Sequence, residues 1–301
     1  MKAVVFGGAG FLGSHVADAL SDKEYEVLIY DWVATPYLRD NQKMMVADIL
    51  DQEKINEAVA GVDYVYHFAG IADIKQANIN PVDTVKYNIL STAYILDACI
   101  NNSIKRFLYA STVYVYSQQG GFYRGSKQAA EILIENYNKI YGLKYTILRY
   151  GSLYGKRANN FNFINNVIKQ AITEGKIERK GDGNEIRDYI NVLDAARSSV
   201  EILVEEFENK FIMITGAQTF KVKDVLNMIN EMLNNEILIQ YSNEKIEDHY
   251  EITPYNFKPK VALKYVPKYY HDLGQGILDS IYDVSEQFSK TSKEQTKLHL
   301  E

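Results

Sequence analysis

Tyr123 and Lys127 stand four residues apart in Tyr123-Arg124-Gly125-Ser126-Lys127, a spacing that puts both side chains on one face of a helix. An ammonium beside a phenol favours the phenolate, as does the positive end of a helix, so the tyrosine gains acidity. A phenol tuned in this way can take a proton from a carbinol hydroxyl. Thr112, at the end of the preceding apolar run, offers a second hydroxyl to hold the reacting oxygen. In a chain with 24 tyrosines the same pair also arises at the start of an ordinary amphipathic helix, so its meaning depends on what lies beside it.

The opening of the chain supplies that context. Lys2-Ala3-Val4-Val5-Phe6 is a short apolar run, followed by Gly7-Gly8-Ala9-Gly10-Phe11-Leu12-Gly13 and a helix-period stretch from near Phe11. A buried parallel strand turning tightly into a helix needs backbone without a Cβ at Gly7, Gly10 and Gly13, so that amides approach a pyrophosphate and the helix packs close to the strand. The anion then meets the positive end of the helix. Asp31 closes the next apolar run at the distance where a carboxylate accepts bonds from an adenosine ribose. An acid there, with no Arg or Lys before Arg39, predicts NAD rather than its 2′-phosphorylated form. With a nicotinamide in place, Tyr123 can remove the hydroxyl proton while hydride leaves the same carbon.

The elements that must position these groups follow from periodicity. Strands are predicted at Ala3–Phe6, Glu26–Tyr30, Lys43–Ala47, Tyr64–Phe68, Arg106–Ala110 and Tyr145–Arg149, with helices at Gly13–Ser21, Asp51–Val59, Val82–Asn101 and Ser126–Tyr141 between them. Alternation of this kind predicts an α/β fold, a Rossmann-type doubly wound parallel sheet, with ligands at the carboxyl ends of the strands. Those ends carry the glycine turn, Asp31, Asp48-Ile49, Ala69-Gly70, Ser111-Thr112 and Gly151–Gly155. Asp48 either contacts the adenine amino group or caps the helix near Asp51. His67 reads as an interior histidine and Cys99, the only cysteine, as a buried structural thiol.

From Gly151 onward the texture changes to dense asparagine and short strands. This predicts a smaller α/β C-terminal substrate-binding domain over about 153–285, after a dinucleotide-binding domain over 1–152 on which 186–215 packs back, and a polar tail at 286–301. A helix at Leu193–Glu206, a strand at Phe211–Thr215 and a helix at Val222–Leu233 are expected within it. Across the 301 residues, net charge is −6 and no block of five like charges occurs, which argues against nucleic acid. With one cysteine there is no internal disulfide or cysteine-based metal cluster, and no metal is expected. No leader and no 18-residue apolar run stand out, so a cytoplasmic protein without a membrane partner is the expectation.

Ordered motifs along residues 1 to about 285 resemble the NAD-dependent sugar-nucleotide epimerase/dehydratase family, the extended short-chain dehydrogenase/reductases. They are Gly7-Gly8-Ala9-Gly10-Phe11-Leu12-Gly13, Asp48-Ile49, His67-Phe68-Ala69-Gly70, Asn88 with Thr92, Ser111-Thr112 with Val115-Tyr116, Tyr123 through Lys127, Leu148-Arg149-Tyr150, Tyr154-Gly155 with Arg157, and Gly181-Asp182-Gly183 with Arg187-Asp188-Tyr189-Ile190 and Val192. The resemblance implies Tyr123 as acid/base, Lys127 as its partner and a contact of the nicotinamide ribose, and Thr112 as the hydroxyl partner. It implies NAD contacts from Gly7, Gly10, Phe11, Leu12, Gly13, Asp31, Asp48, Ile49, Phe68, Ala69, Gly70, Asn88 and Tyr150. Arg187 is expected to grip the diphosphate of a nucleoside-diphosphate sugar, the alternative being a pair with Asp188 or Glu185. Asn160 or Asn162 is expected at the same diphosphate or the sugar, the alternative being turn residues. A homodimer built on the helices at Val82–Asn101 and Ser126–Tyr141 is also implied.

Two departures shape the functional expectation. Ten residues separate Thr112 from Tyr123, a shorter loop than the family usually carries, which predicts a more open sugar pocket. Val113 and Tyr114 occupy the positions where 4,6-dehydratases carry an Asp-Glu pair, so the acid and base that water elimination needs are missing. Ser152 also stands where the family typically has Asn. Epimerisation at C4 of a nucleotide sugar, by transient oxidation to a keto sugar, is the leading expectation. A related decarboxylase, reductase or dehydratase, or a silent NAD-binding sensor, are the alternatives.

Overall fold

In the first strand, β1 (Lys2–Phe6), Val4 and Phe6 turn to one face of the sheet and Ala3 and Val5 to the other, and all four are buried. A strand apolar on both faces requires helices on both sides. The computed structural model, which describes residues 1–242, 249 and 263–298 with side chains through 288, places them there. Further strands are β2 (Glu26–Asp31), β3 (Gln42–Val46), β4 (Tyr64–His67), β5 (Arg106–Thr112), β6 (Tyr145–Tyr150) and β7 (Ser152–Tyr154). Then come β8 (Lys176–Lys180), β9 (Ile186–Asn191), β10 (Lys210–Ile214), β11 (Thr219–Lys221), β12 (Leu238–Ser242) and β13 (Leu263–Tyr265). The helices are α1 (Phe11–Asp22), α2 (Gln52–Val59), α3 (Ile74–Ile79), α4 (Pro81–Val85), α5 (Ser91–Asn101) and α6 (Gly121–Tyr141). After them follow α7 (Phe163–Glu174), α8 (Val192–Glu201), α9 (Val222–Met232) and α10 (Leu273–Leu298).

Eight strands form one sheet in the order β13-β10-β6-β5-β4-β1-β2-β3, with every pairing parallel. The order reverses between β1 and β4, the switch point at which doubly wound sheets open a crevice. One face is covered by α1 and α8 through Leu12, Val16, Leu20, Ala195 and Val200. The other is covered by α2, α5 and α6 through Ile55, Ile95, Leu96, Ala130 and Ile134. The fold is thus α/β and Rossmann-like. A third core, formed by Ile164, Val167, Ile168, Val225, Leu226, Ile229, Ile277 and Ile281, joins α7, α9 and α10 beside the three-stranded sheet β11-β9-β7 and the pair β12-β8.

Several elements differ from expectation. The helix expected at Val82–Asn101 is α4, a π-helical turn at Lys86–Leu90 and then α5, so one residue is inserted into the periodicity. Helix α6 begins at Gly121, five residues before the expected Ser126. The helix expected at Leu193–Glu206 ends at Glu201, with a separate 3-10 turn at Glu205–Phe207. The stretch expected as a polar tail from Glu286 continues α10 to Leu298.

Leu96 is fully buried on the α5 face of the sheet. Its truncation to alanine is expected to lower stability by about 2–5 kcal/mol, read by urea denaturation; an unchanged midpoint would contradict this packing.

Candidate active site

Gly7 leaves β1 with φ +80 and Gly13 lies on the first turn of α1. A Cβ on Gly7 would meet the Ala69 amide nitrogen at 2.5 Å, and one on Gly13 the Gly7 carbonyl oxygen at 2.2 Å. Backbone from β1, α1 and the end of β4 therefore closes to van der Waals contact at the switch point, and only glycine permits it. The Gly7 amide donates to the Tyr30 carbonyl at 2.8 Å, while the amides of Phe68 and Ala69 donate to the Phe6 carbonyl. Gly10 is the N-cap of α1, with no capping side chain and no acidic residue in the first turn, so no side chain competes with an anion there. Phe11 and Leu12 follow, Leu12 packed into the core under α1 and Phe11 edge-on to His15.

Asp31 lies at the rim of this turn, buried. Its carboxylate accepts from the Ala9 amide at 3.0 Å and the Trp32 amide at 2.8 Å. Burial pushes its carboxyl above the usual range, and those amides oppose the shift. Arg39, the first cation after it, is engaged by Asp18 at 2.9 Å and Asp22 at 2.5 Å. Asp48 is exposed and its carboxylate accepts from the Leu50 amide at 2.9 Å, whereas Asp51 caps α2 through the Lys54 amide. The cap reading for Asp48 is thus corrected: it forms the turn, and Asp51 does the capping. Ile49 is buried in the core beside α2. Glycines where a Cβ would collide, a cap without a side chain and a carboxylate at the strand end together fit a dinucleotide.

Two expected cofactor contacts are otherwise employed. Asn88 is buried, taking the Ile71 amide at 2.7 Å on its oxygen and giving its NH2 to the Ile71 carbonyl and Ser126 Oγ. It ties the loop after Gly70 to α6. The Tyr150 hydroxyl bonds Ser199 Oγ on α8 at 2.6 Å, within the sheet's core, so its side chain is committed there. Phe68 stacks on Tyr66 and, with Ala69 and Gly70, borders the crevice.

The chemical pair lies on α6. Lys127 is 5% exposed. Its Nζ donates to the Ala110 carbonyl at 2.9 Å and sits 4.7 Å from the Tyr109 ring centre and 6.0 Å from that of half-buried Tyr123. Burial pulls its pKa down to about 8, and the Glu131 carboxylate opposes this. Thr112 ends β5, buried, its Oγ1 accepting from the Tyr114 amide at 3.3 Å in a 3-10 turn, Val113–Tyr116. Tyr114 lies edge-on to Tyr123 at 6.3 Å, and its hydroxyl bonds His249 Nδ1 at 2.6 Å. The short loop therefore brings an aromatic wall beside Tyr123 rather than only a gap. His67 is fully buried with Nε2 3.0 Å from Thr92 Oγ1; burial, with the Lys127 charge, pulls its pKa down to about 3, so it stays neutral. Cys99 is free and buried, its thiol pushed up by burial.

Of the residues expected at the substrate, Arg187 is buried on β9 and donates to the Ile186 carbonyl, while Glu185 pairs with Arg179. Asn160 is exposed and accepts from Lys169 Nζ at 2.6 Å. Asn162 caps α7 through the Asn165 amide and donates to the Leu153 carbonyl, which is the turn reading for that residue. Missed entirely was Glu131, one helical turn beyond Lys127, which is bound to Arg149 and Ser111. A glutamate on the apolar face shared by Ala130 and Ile134 was the available signal. Among the described residues no group of acidic, histidine or cysteine side chains could hold a metal, and no helix is long and apolar enough to cross a membrane.

Gly13→Val is expected to weaken NAD binding by at least about 100-fold in calorimetry, with far-ultraviolet circular dichroism retained. Gly10→Ala, whose Cβ would lie 3.2 Å from the Gly7 carbonyl oxygen, is expected to lose far less. Equal affinity for both variants would contradict the assignment of this turn.

The comparisons with known proteins agree with the Rossmann-like fold. A UDP-N-acetyl-alpha-D-glucosaminuronate decarboxylase of Bacillus cytotoxicus is 27% identical over 312 residues, covering 93% of this chain and 96% of the relative. A UDP-glucose 4-epimerase of Rhizobium leguminosarum bv. trifolii is 25% identical over 317 residues, with the same shares of 93% and 96%. The crystal structure of a UDP-glucose 4-epimerase with UDP-glucose from Thermotoga maritima superposes with a TM-score of 0.84 at 24% identity, over 96% of this chain and 100% of that one. Residues 3–214 match the model of a family whose members use NAD, and the chain belongs to that family, the NAD dependent epimerase/dehydratases.

Proposed function

We propose that this enzyme is a nucleotide-sugar 4-epimerase, with a UDP-hexose as its substrate class. The observation that carries the reading is the buried Lys127 ammonium beside Tyr123, held on the Ala110 carbonyl two residues before Thr112 at the carboxyl end of β5, with no carboxylate at positions 113 and 114. NAD, which the Gly7–Gly13 turn and Asp31 would hold, would supply a reversible hydride acceptor. Tyr123, as phenolate, takes the proton of the C4 hydroxyl while the Thr112 hydroxyl orients that oxygen. Lys127, itself buried, holds the phenolate charge where a nearby cation acts more strongly than in bulk solvent. The ketone then presents its other face, and Tyr123 gives the proton back to the new alcohol. Arg187 suits the substrate diphosphate because a guanidinium offers paired donors to phosphate oxygens. Nothing at Val113 or Tyr114 can expel the C6 hydroxyl as water, which favours epimerisation over dehydration.

The decisive experiment supplies purified protein with UDP-, GDP-, CDP- and dTDP-sugars without added NAD and reads products by NMR. A C4 epimer supports the reading. A persistent ketone or a lost carboxylate points instead to the reductase or decarboxylase chemistry, and inertness with NAD retained points to a binding protein. Tyr123→Phe is expected to keep fold and NAD yet lose about 10²–10⁴-fold in turnover; unchanged turnover removes Tyr123 from its role.

A second copy of the chain is part of the proposal. Val82, Val85, Leu90, Ile132 and Ile140 are exposed, 66%, 49%, 39%, 53% and 68% respectively, on the helical segments where the family resemblance puts a dimer. Sedimentation equilibrium is expected to give twice the chain mass, and Ile132→Glu with Val82→Glu to give the single-chain mass. A wild-type monomer at tens of micromolar would remove this part.

A further inference from the structure

Behind the Tyr123–Lys127 pair lies a buried charged cluster that the proton transfer itself does not touch. Glu131 is 4% exposed and Arg149 2%. Glu131 Oε1 accepts from Ser111 Oγ at 2.5 Å and from Arg149 Nε at 2.9 Å, and Oε2 accepts from Arg149 Nη2 at 2.6 Å. Arg149 also donates to the Tyr116 hydroxyl, and its guanidinium lies 4.7 Å from the Tyr116 ring and 4.4 Å from the Phe211 ring. One carboxylate thereby ties α6 to β5 and β6, immediately before Thr112 and beneath the turn that follows it.

A buried ion pair is a poor source of net stability, since desolvation offsets most of its attraction and an apolar pair of like volume often does as well. Its placement calls for another account. The pair is asymmetric toward Lys127: Glu131 lies one helical turn beyond Lys127 on α6, while the guanidinium is sandwiched by Tyr116 and Phe211. Among the described residues, the other groups facing Lys127 supply no countercharge. His67 on β4 is neutral, Tyr109 on β5 is a buried phenol kept neutral by burial, Ala110 offers a carbonyl, and Tyr123 on α6 is the phenol to be served.

We propose that Glu131 is a positioning residue: clamped by Arg149 and Ser111, its carboxylate keeps the Lys127 ammonium charged in a site that burial would otherwise discharge. The inference rests on the reading that Lys127 serves Tyr123, but the protonation of Lys127 can be measured without any turnover. Removing the carboxylate both deletes a favourable charge and leaves Arg149 uncompensated behind the ammonium, so both changes act in the same direction. Because burial already lowers the Lys127 pKa, the cation is lost as pH rises through that value, and losing Glu131 moves the loss to lower pH.

The test is an NMR titration of full-length protein carrying lysine labelled with carbon-13 at Cε, with the Lys127 signal identified by its loss in Lys127→Met. Glu131→Gln is expected to move the Lys127 midpoint down by about one pH unit or more. Glu131→Gln with Arg149→Met keeps the test open if the single variant does not fold, and its midpoint is expected between those of the single variant and wild type. The alkaline limb of kcat/KM, which reports groups of the free enzyme, is expected to shift with the titration while KM for the sugar nucleotide stays nearly constant. A Lys127 midpoint that equals wild type in both variants overturns the proposal and leaves Glu131 a structural residue. A shifted midpoint in a protein that turns over no sugar nucleotide supports the role of Glu131 and refutes the proposed function instead.

Discussion

An ammonium almost out of water needs compensation from groups that do not themselves carry a full charge into the reacting space. Lys127 finds it in the Ala110 carbonyl, the ring face of Tyr109 and, one turn further along α6, the carboxylate of Glu131. Each of these depends on an element held elsewhere. Ala110 lies in β5, the second strand from the switch point on the β4 side, and Glu131 is fixed by Arg149 from the neighbouring β6. Helix α6 sets Lys127 beside Tyr123, and the sheet register decides where its ammonium is anchored. The remaining chemistry needs only that a phenolate be cheap to form at this spot.

The same sheet sets the other half of the site. Gly7 and Gly13 let β1, α1 and the end of β4 approach to contact distance, and Asn88 ties the following loop to α6. The cradle for the dinucleotide and the helix bearing Tyr123 are therefore joined by one buried amide. Asn88 sits in a π-helical turn, where the extra residue per turn redirects a side chain that regular helix would aim elsewhere. Its role is to fix the distance between cradle and helix, which explains why its hydrogen-bonding capacity is spent on protein.

Much of this was legible before any coordinates, for physical reasons. Short apolar runs bounded by glycine and acidic residues are strands in a covered sheet, so β1, β2, β4, β5 and β6 lie within a residue or two of expectation. Gly120 and Gly121 look like loop, so the sequence predicts a late start for α6. They instead adopt positive φ, and the Phe122 amide donates to Asn78 as the helix opens. The π turn was invisible because one inserted residue slips the periodicity without breaking it. Asp48, Asn88, Tyr150 and Asn162 show a deeper limit: a sequence displays a polar group but not the partner that uses it. Glu131 was the converse, a charge on an apolar helix face whose partner, Arg149, interrupts an apolar strand eighteen residues later.

The account stands on two hydrogens leaving one carbinol separately, the hydroxyl proton to Tyr123 and the C4 hydrogen as hydride into the dinucleotide crevice, with the hydride coming back to that carbon. The most direct measurement follows a UDP-hexose, the proposed substrate class, deuterated at C4, in ordinary water. The account predicts a C4 epimer that keeps its deuterium at C4, because the hydride never exchanges with solvent. Replacement of that deuterium by solvent hydrogen would mean that a proton, not a hydride, leaves the carbon, and would contradict it.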